Sequence, residues 1–162
     1  MLEIEPLNID RARKLIKEKC HESPPDWIQW AKWFRCLLGT EGFIALLVFN
    51  GGRPLSGWQE YSNGSYNIVD VAIGLRDYQG TTPDLVAGKR RVLEYEKRMQ
   101  MGEFPQVLCL VRTGAKGRIT LFETNKRAVA LCLFHFVEKK GPYRPIEGIL
   151  GQTEKRLPIQ SQ

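Results

Sequence analysis

Residues 118–140, RITLFETNKRAVALCLFHFVEKK, decide how the chain is read. RITLF (118–122) has the composition of a short strand. The stretch that follows from Asn125 to about Lys139 is apolar nearly all round in its centre, which predicts a helix enclosed by other elements. Between them lie Glu123, Thr124, Asn125, Lys126 and Arg127, so polar groups are delivered to a helix N-terminus. Working outward, VLCLVR (107–112) and RITLF are joined by TGAKG (113–117), whose glycines suit a five-residue antiparallel hairpin. Gly141–Pro142 ends the central helix, and IEGIL (146–150) reads as a last strand. Upstream, Thr82–Pro83–Asp84 supplies a hydroxyl cap, a first-turn proline and an early carboxylate for a long basic helix reaching Gly102.

The N-terminal half has weaker signals. A helix is predicted over 8–20, opening at Asn8 or Asp10, and Pro24–Pro25 then break the chain. Asp26 is placed to cap a second helix in which Trp27, Trp30, Phe34 and Leu37 recur at helical spacing as a core stripe. FIALLVF (43–49), stopped by Asn50–Gly51–Gly52, predicts a buried strand. Ile68, Val71, Ala72 and Leu75 fall on one face of a helix over 67–78. The pattern predicts one compact domain over 1–151, of α/β or α+β class with a small mixed sheet packed with helices, and a polar tail at 152–162.

The composition fits this class. A chain of 162 residues, 43% hydrophobic and 10% aromatic, furnishes one sizeable core and excludes wholesale disorder. No stretch offers the roughly 18 uncharged apolar residues of a membrane-spanning helix, and MLEIEPLNIDRARK lacks an apolar signal core. The expectation is a cytoplasmic protein with no membrane partner. Cys20, Cys36, Cys109 and Cys132 form no CxxC pair, and only His21 and His135 are at hand to complete a metal site, so a zinc framework is not expected. Cys109 and Cys132, inside VLCLV and ALCLF, are expected to pack as small hydrophobes with free thiols. The formal charge of +6 is uneven: residues 101–162 carry 10 basic and 5 acidic groups, whereas residues 1–50 carry 7 of each. That bias favours an anionic partner, whether nucleotide, nucleic acid or acidic protein.

Phosphate is the natural ligand of the 123–127 turn. Helix N-termini present unpaired N–H donors and a partial positive charge. Lys126 adds a compact ammonium, and Arg127 a planar fork able to grip phosphate bidentately. Thr124 and Asn125 complete the candidate phosphate-binding set. Glu123 beside a phosphate is repulsive unless a cation intervenes or it takes a proton, which makes it the candidate catalytic residue: a partner for Mg²⁺ through water, or a general base. The competing role is structural, a helix cap or a pair with Arg127 four residues on, worth only about 0.3–0.5 kcal/mol if exposed.

At this junction LFETNKRAVAL (121–131) resembles the ParB and sulfiredoxin-like superfamily, whose members carry a strand, a turn of the form D/E-G-x-H-R, and a helix rich in Ala and Leu. Glu123 matches the acidic position and Arg127 the arginine, while Thr124 replaces the glycine and Lys126 the histidine. PIEGILG (145–151) is similar to the short strand that follows that helix, so the likeness covers roughly residues 105–151. The resemblance implies a ParB/sulfiredoxin-like domain that binds a phosphate-bearing ligand, nucleotide or nucleic acid, and, if it is an enzyme, performs Mg²⁺-dependent phosphoester hydrolysis or phosphoryl transfer. Sulfiredoxin chemistry itself needs a cysteine where Asn125 stands. The alternative is a regulatory protein-interaction module that keeps the fold without the chemistry, meeting an acidic partner through its basic segment.

Other motifs are weaker. Gly80 to Lys89 lacks phosphate-loop spacing, and Arg90 stands where a Ser or Thr is required. Lys89, Arg90 and Arg91, with Lys97 and Arg98, form a possible nucleic-acid contact on the long helix, interrupted by Glu94 and Glu96. Asn50–Gly51–Gly52–Arg53 is read as an ordinary turn, and His135 as a satisfied core histidine.

Overall fold

IEGIL lies at the centre of a five-stranded sheet. The computed structural model describes residues 2–19, 29–48, 57–122 and 125–154. Strand β5 (Ile146–Thr153) pairs antiparallel with β2 (Lys32–Leu38) on one side and parallel with β3 (Val107–Thr113) on the other. Outside these lie the edge strands β1 (Leu2–Leu7) and β4 (Thr120–Leu121), giving the order β1-β2-β5-β3-β4. Gly148 is opposite Cys36 of β2 and Leu108 of β3. A Cβ there would stand 2.6 Å from Leu110 Cδ1 and 2.8 Å from Cys36 Sγ, so the glycine lets both side chains close over the strand.

Alternate residues of the inner strands feed two cores, one on each face. Val107, Cys109 and Val111 of β3 join Trp33 and Ile149 beneath Ala12, Leu15 and Ile16 of α1 (Ile9–Lys19). The cap of α1 is Asn8, whose Oδ1 accepts from Arg11 N at 2.8 Å. Leu108, Leu110 and Leu150 face the larger core, built with α2 (Thr40–Ile44), α3 (Gly57–Ser62), α4 (Ile68–Asp77), α5 (Pro83–Gln100) and α6 (Asn125–Cys132). The result is one mixed α/β domain. The central helix is α6 extended by a π-helical turn, Leu133–Val137, and Ala128 to Phe134 are buried.

Several expectations hold locally. Asn67 caps α4, its Oδ1 accepting from Val69 N and Asp70 N, and the predicted apolar face of that helix is buried. Pro83 opens α5, although the Thr82 hydroxyl makes no capping hydrogen bond. Strands β3 and β4 pair antiparallel as expected, but only Thr120 and Leu121 pair, opposite Val111 and Leu110, so the connection is longer than the five residues predicted. β5 continues past the predicted strand to Thr153, which is buried.

Two expectations are corrected. The stripe Trp30, Phe34, Leu37 is no helix: Trp30 is 75% exposed, and Lys32–Leu38 is a strand that sends Phe34, Cys36 and Leu38 to the larger core and Trp33 to the smaller. The strand does alternate, with Lys32, Arg35 and Leu37 exposed, but it is apolar on both sides of the pleat, which lets Trp30, Phe34 and Leu37 also fall at helical spacing. FIALLVF is likewise not a continuous strand: Phe43 and Ile44 belong to α2, and Leu47 makes only single bridges to Asn67 and Thr120. Phe49, Trp27 and Asp26 lie outside the described residues, as do Asn50–Arg53 and the tail from 155.

Cys132 is the buried free thiol expected, and Cys36 is another; burial pushes their pKa values up to about 12 and about 11. Cys109, equally buried, is disulfide-bonded, contrary to expectation. Among the described residues no helix is long and apolar enough to cross a membrane.

Candidate functional site

Packing of α5 against α6 brings Tyr95 and Arg98, one turn apart on α5, to the first turn of α6. The guanidinium carbon of Arg98 lies 5.3 Å from the centre of the Tyr95 ring, and that of Arg127 lies 5.9 Å from the same centre. These residues, with Phe104 and the carboxylates Glu18 and Glu103, line an open pocket of about 530 Å³. Its volume falls in the range typical of small-molecule sites.

The pocket carries two guanidiniums and two carboxylates, so its electrostatics turn on whether these pair. The ion pairs among the described residues are Arg35–Glu147, Arg76–Asp77 and those of Lys140 with Glu96 and Glu138. Neither Arg98 nor Arg127 belongs to them. A shared aromatic ring attracts each guanidinium by about 0.5–1 kcal/mol at an exposed site, enough to orient the fork without using its N–H donors. Two like charges lining one pocket repel, and an anion bound in it reduces that repulsion. The N-terminus of α6 adds its partial positive charge on the same side as Arg127.

Of the predicted turn, Glu123 and Thr124 lie outside the described residues. Asn125, Lys126 and Arg127 are half-buried in the first turn of α6, and Arg127 is the one of the three that lines the pocket. The basic cluster on α5 is divided. Lys89 Nζ donates to the carbonyls of Arg76 (3.0 Å) and Tyr78 (2.6 Å), satisfying the end of α4, while Arg90 and Arg91 are exposed. His135 sits among aromatic rings, with Nδ1 2.9 Å from the Gly141 carbonyl oxygen and its ring stacked on Phe104.

Sequence reasoning had Arg98 only as part of a basic face and did not single out Tyr95 or Phe104. The available signal was Tyr95 and Arg98 at i and i+3 on one helix, which puts an aromatic ring under a cation. What pairs them with Arg127 is tertiary packing. Among the described residues no group of three or more His, Cys, Asp or Glu is placed to hold a metal ion. Comparison with protein-family models, with curated proteins and with solved structures finds no match.

Proposed function

We propose that this domain binds a small phosphate-bearing ligand, a nucleotide in preference to a nucleic-acid strand, in the pocket between α5 and α6. The observation that carries the reading is the pair of guanidiniums, Arg98 and Arg127, set on one tyrosine ring and outside any ion pair among the described residues. A planar fork matches phosphate bidentately, and a second fork beside it suits a doubly charged group. The pocket also offers the Phe104 ring, a surface for a flat base, and its volume of about 530 Å³ suits a mononucleotide. Kinship with the ParB and sulfiredoxin-like superfamily belongs to the same proposal and rests on Glu123, Arg127 and the helix that follows them. The proposal is one of binding, and hydrolysis or phosphoryl transfer through Glu123 and Mg²⁺ is its extension.

The test is thermal unfolding with ATP, CTP, GTP, pyrophosphate and short single-stranded DNA, each with and without Mg²⁺, beside Arg98→Ala and Arg127→Ala. A ligand at 100 times its Kd stabilises the fold by about 2.7 kcal/mol, which for a chain of this size raises Tm by roughly 5–10 °C. The parent is expected to shift and both folded variants to lose the shift. Equal shifts in the parent and both variants would move the site elsewhere, and no shift with any ligand would leave the regulatory protein-interaction reading in its place.

A further inference from the structure

Among the described residues Glu96 is the one charged side chain that is buried, 4% exposed on the same face of α5 as Leu85, Val92 and Met99. Its Oε1 accepts from Lys140 Nζ at 3.3 Å, and the same ammonium lies 2.5 Å from Glu138 Oε2. Glu96 Oε2 is buried with no hydrogen-bond partner. With both carboxyls ionised, one ammonium serves two negative charges, and a buried oxygen goes without a donor. One added proton corrects both defects: the cluster becomes neutral, and one carboxyl gains an O–H to donate to the other.

The position of the cluster gives this consequence. Glu138 and Lys140 directly follow the π-helical turn, their backbone N–H groups donating to the carbonyls of Leu133 and Phe134 at 2.8 Å each. Lys139 between them has φ of 51°, a left-handed conformation unusual for a residue with a side chain. Contacts to α5 therefore hold the chain where the helix gives way to Gly141. We propose that Glu96 carries a proton on its buried oxygen, donated toward Glu138, and with Lys140 forms a pH-sensitive latch tying the end of the central helix to α5.

The charges acting on Glu96 are those of Glu138 and Lys140, and Arg76 on α4 is near enough to feel Glu138. Burial first, and then Glu138, hold the Glu96 carboxyl above the usual glutamate range, against the opposing pull of Lys140. A carboxyl with a raised folded pKa binds its proton more tightly in the closed state than in the open one. The stability it confers is full below the ordinary glutamate range and is lost as pH rises through the raised value.

The experiment is amide hydrogen exchange of the segment 133–141 between pH 4.5 and 8, corrected for the intrinsic pH dependence of exchange, on the parent chain and Glu96→Gln. In the parent, protection of the Glu138 and Lys140 amides is expected to fall by at most about tenfold per pH unit until the raised pKa is passed, and then to level off. In Glu96→Gln, which cannot ionise, protection is expected to be flat over the same range. Equal slopes in the two proteins would overturn the proposal. If Glu96→Gln does not fold, Glu138→Gln removes the facing charge and must lessen the slope; an unchanged slope there overturns it equally.

Discussion

Two mid-helix glycines separate packing from helix propensity. Gly74 of α4 and Gly88 of α5 each become better helix formers as alanine, by about 0.8–1 kcal/mol. Their surroundings differ. A Cβ on Gly88 meets Tyr61 Oη at 3.5 Å, an ordinary contact, whereas a Cβ on Gly74 would stand 1.7 Å from the Tyr61 carbonyl oxygen. Against roughly 3.3 Å for a close C···O approach, the shortfall is about 1.6 Å. The obstructing atom is backbone, so no rotamer relieves it and α3 must move off α4. That movement also strains the bond from the Tyr61 hydroxyl to the Leu85 carbonyl, which ties α3 to α5. Overpacking of this kind costs about 1–3 kcal/mol or more. Gly88→Ala is therefore expected to gain up to about 1 kcal/mol and Gly74→Ala, after the same gain, to lose up to about 2, a gap of about 1–3 kcal/mol and roughly 2–12 °C in Tm. Urea unfolding followed by tryptophan fluorescence, with heat unfolding beside it, measures both. If Gly74→Ala proves as stable as Gly88→Ala, the close α3–α4 approach is wrong.

Gly148→Ala should cost about 1–3 kcal/mol by pressing on Leu110 and Cys36, and adding Cys36→Ala should recover part of that loss; additive losses in a double-mutant cycle would show that the two residues do not touch. Cys36 and Cys132 should resist a thiol-reactive disulfide reagent at pH 8 in the folded protein and react on unfolding, because burial holds their pKa values at about 11 and about 12. Rapid modification of either in native buffer would contradict that burial.

The C-terminal half was legible in the sequence because its elements announce themselves locally. Pro83 and Asp84 start α5, and Gly114, with φ of 65°, turns the chain out of β3. The N-terminal half misled for a reason common to central strands. Phe34, Cys36 and Leu38 face the larger core while Trp33 alone of this strand reaches the smaller, and the exposed Leu37 lies on the outer side with Arg35, so an apolar residue on each side matches a helical stripe by chance. LEIEPL (2–7) did alternate, but its Pro6 reads as a breaker until the strand is seen at the sheet edge. At the candidate site, Arg127 was legible from the helix N-terminus, while Arg98 and Tyr95 required the packing of two helices about thirty residues apart in sequence.

The order of strands has a consequence for how the fold is made. β1 and β2 form one antiparallel ribbon and β3 and β4 another, and the sheet joins them only through β5. Arg35 of β2 and its ion-pair partner Glu147 of β5 are 112 residues apart. On a growing chain the ribbon ending at Leu38 is complete long before β5, which begins at Ile146, while the ribbon ending at Leu121 precedes it closely. Until then each exposes an edge ready to pair with any extended segment, the first while residues 39 to 153 are made and the second only while 122 to 153 are, so the β1–β2 ribbon is the one most open to association with helper proteins or a second unfinished chain.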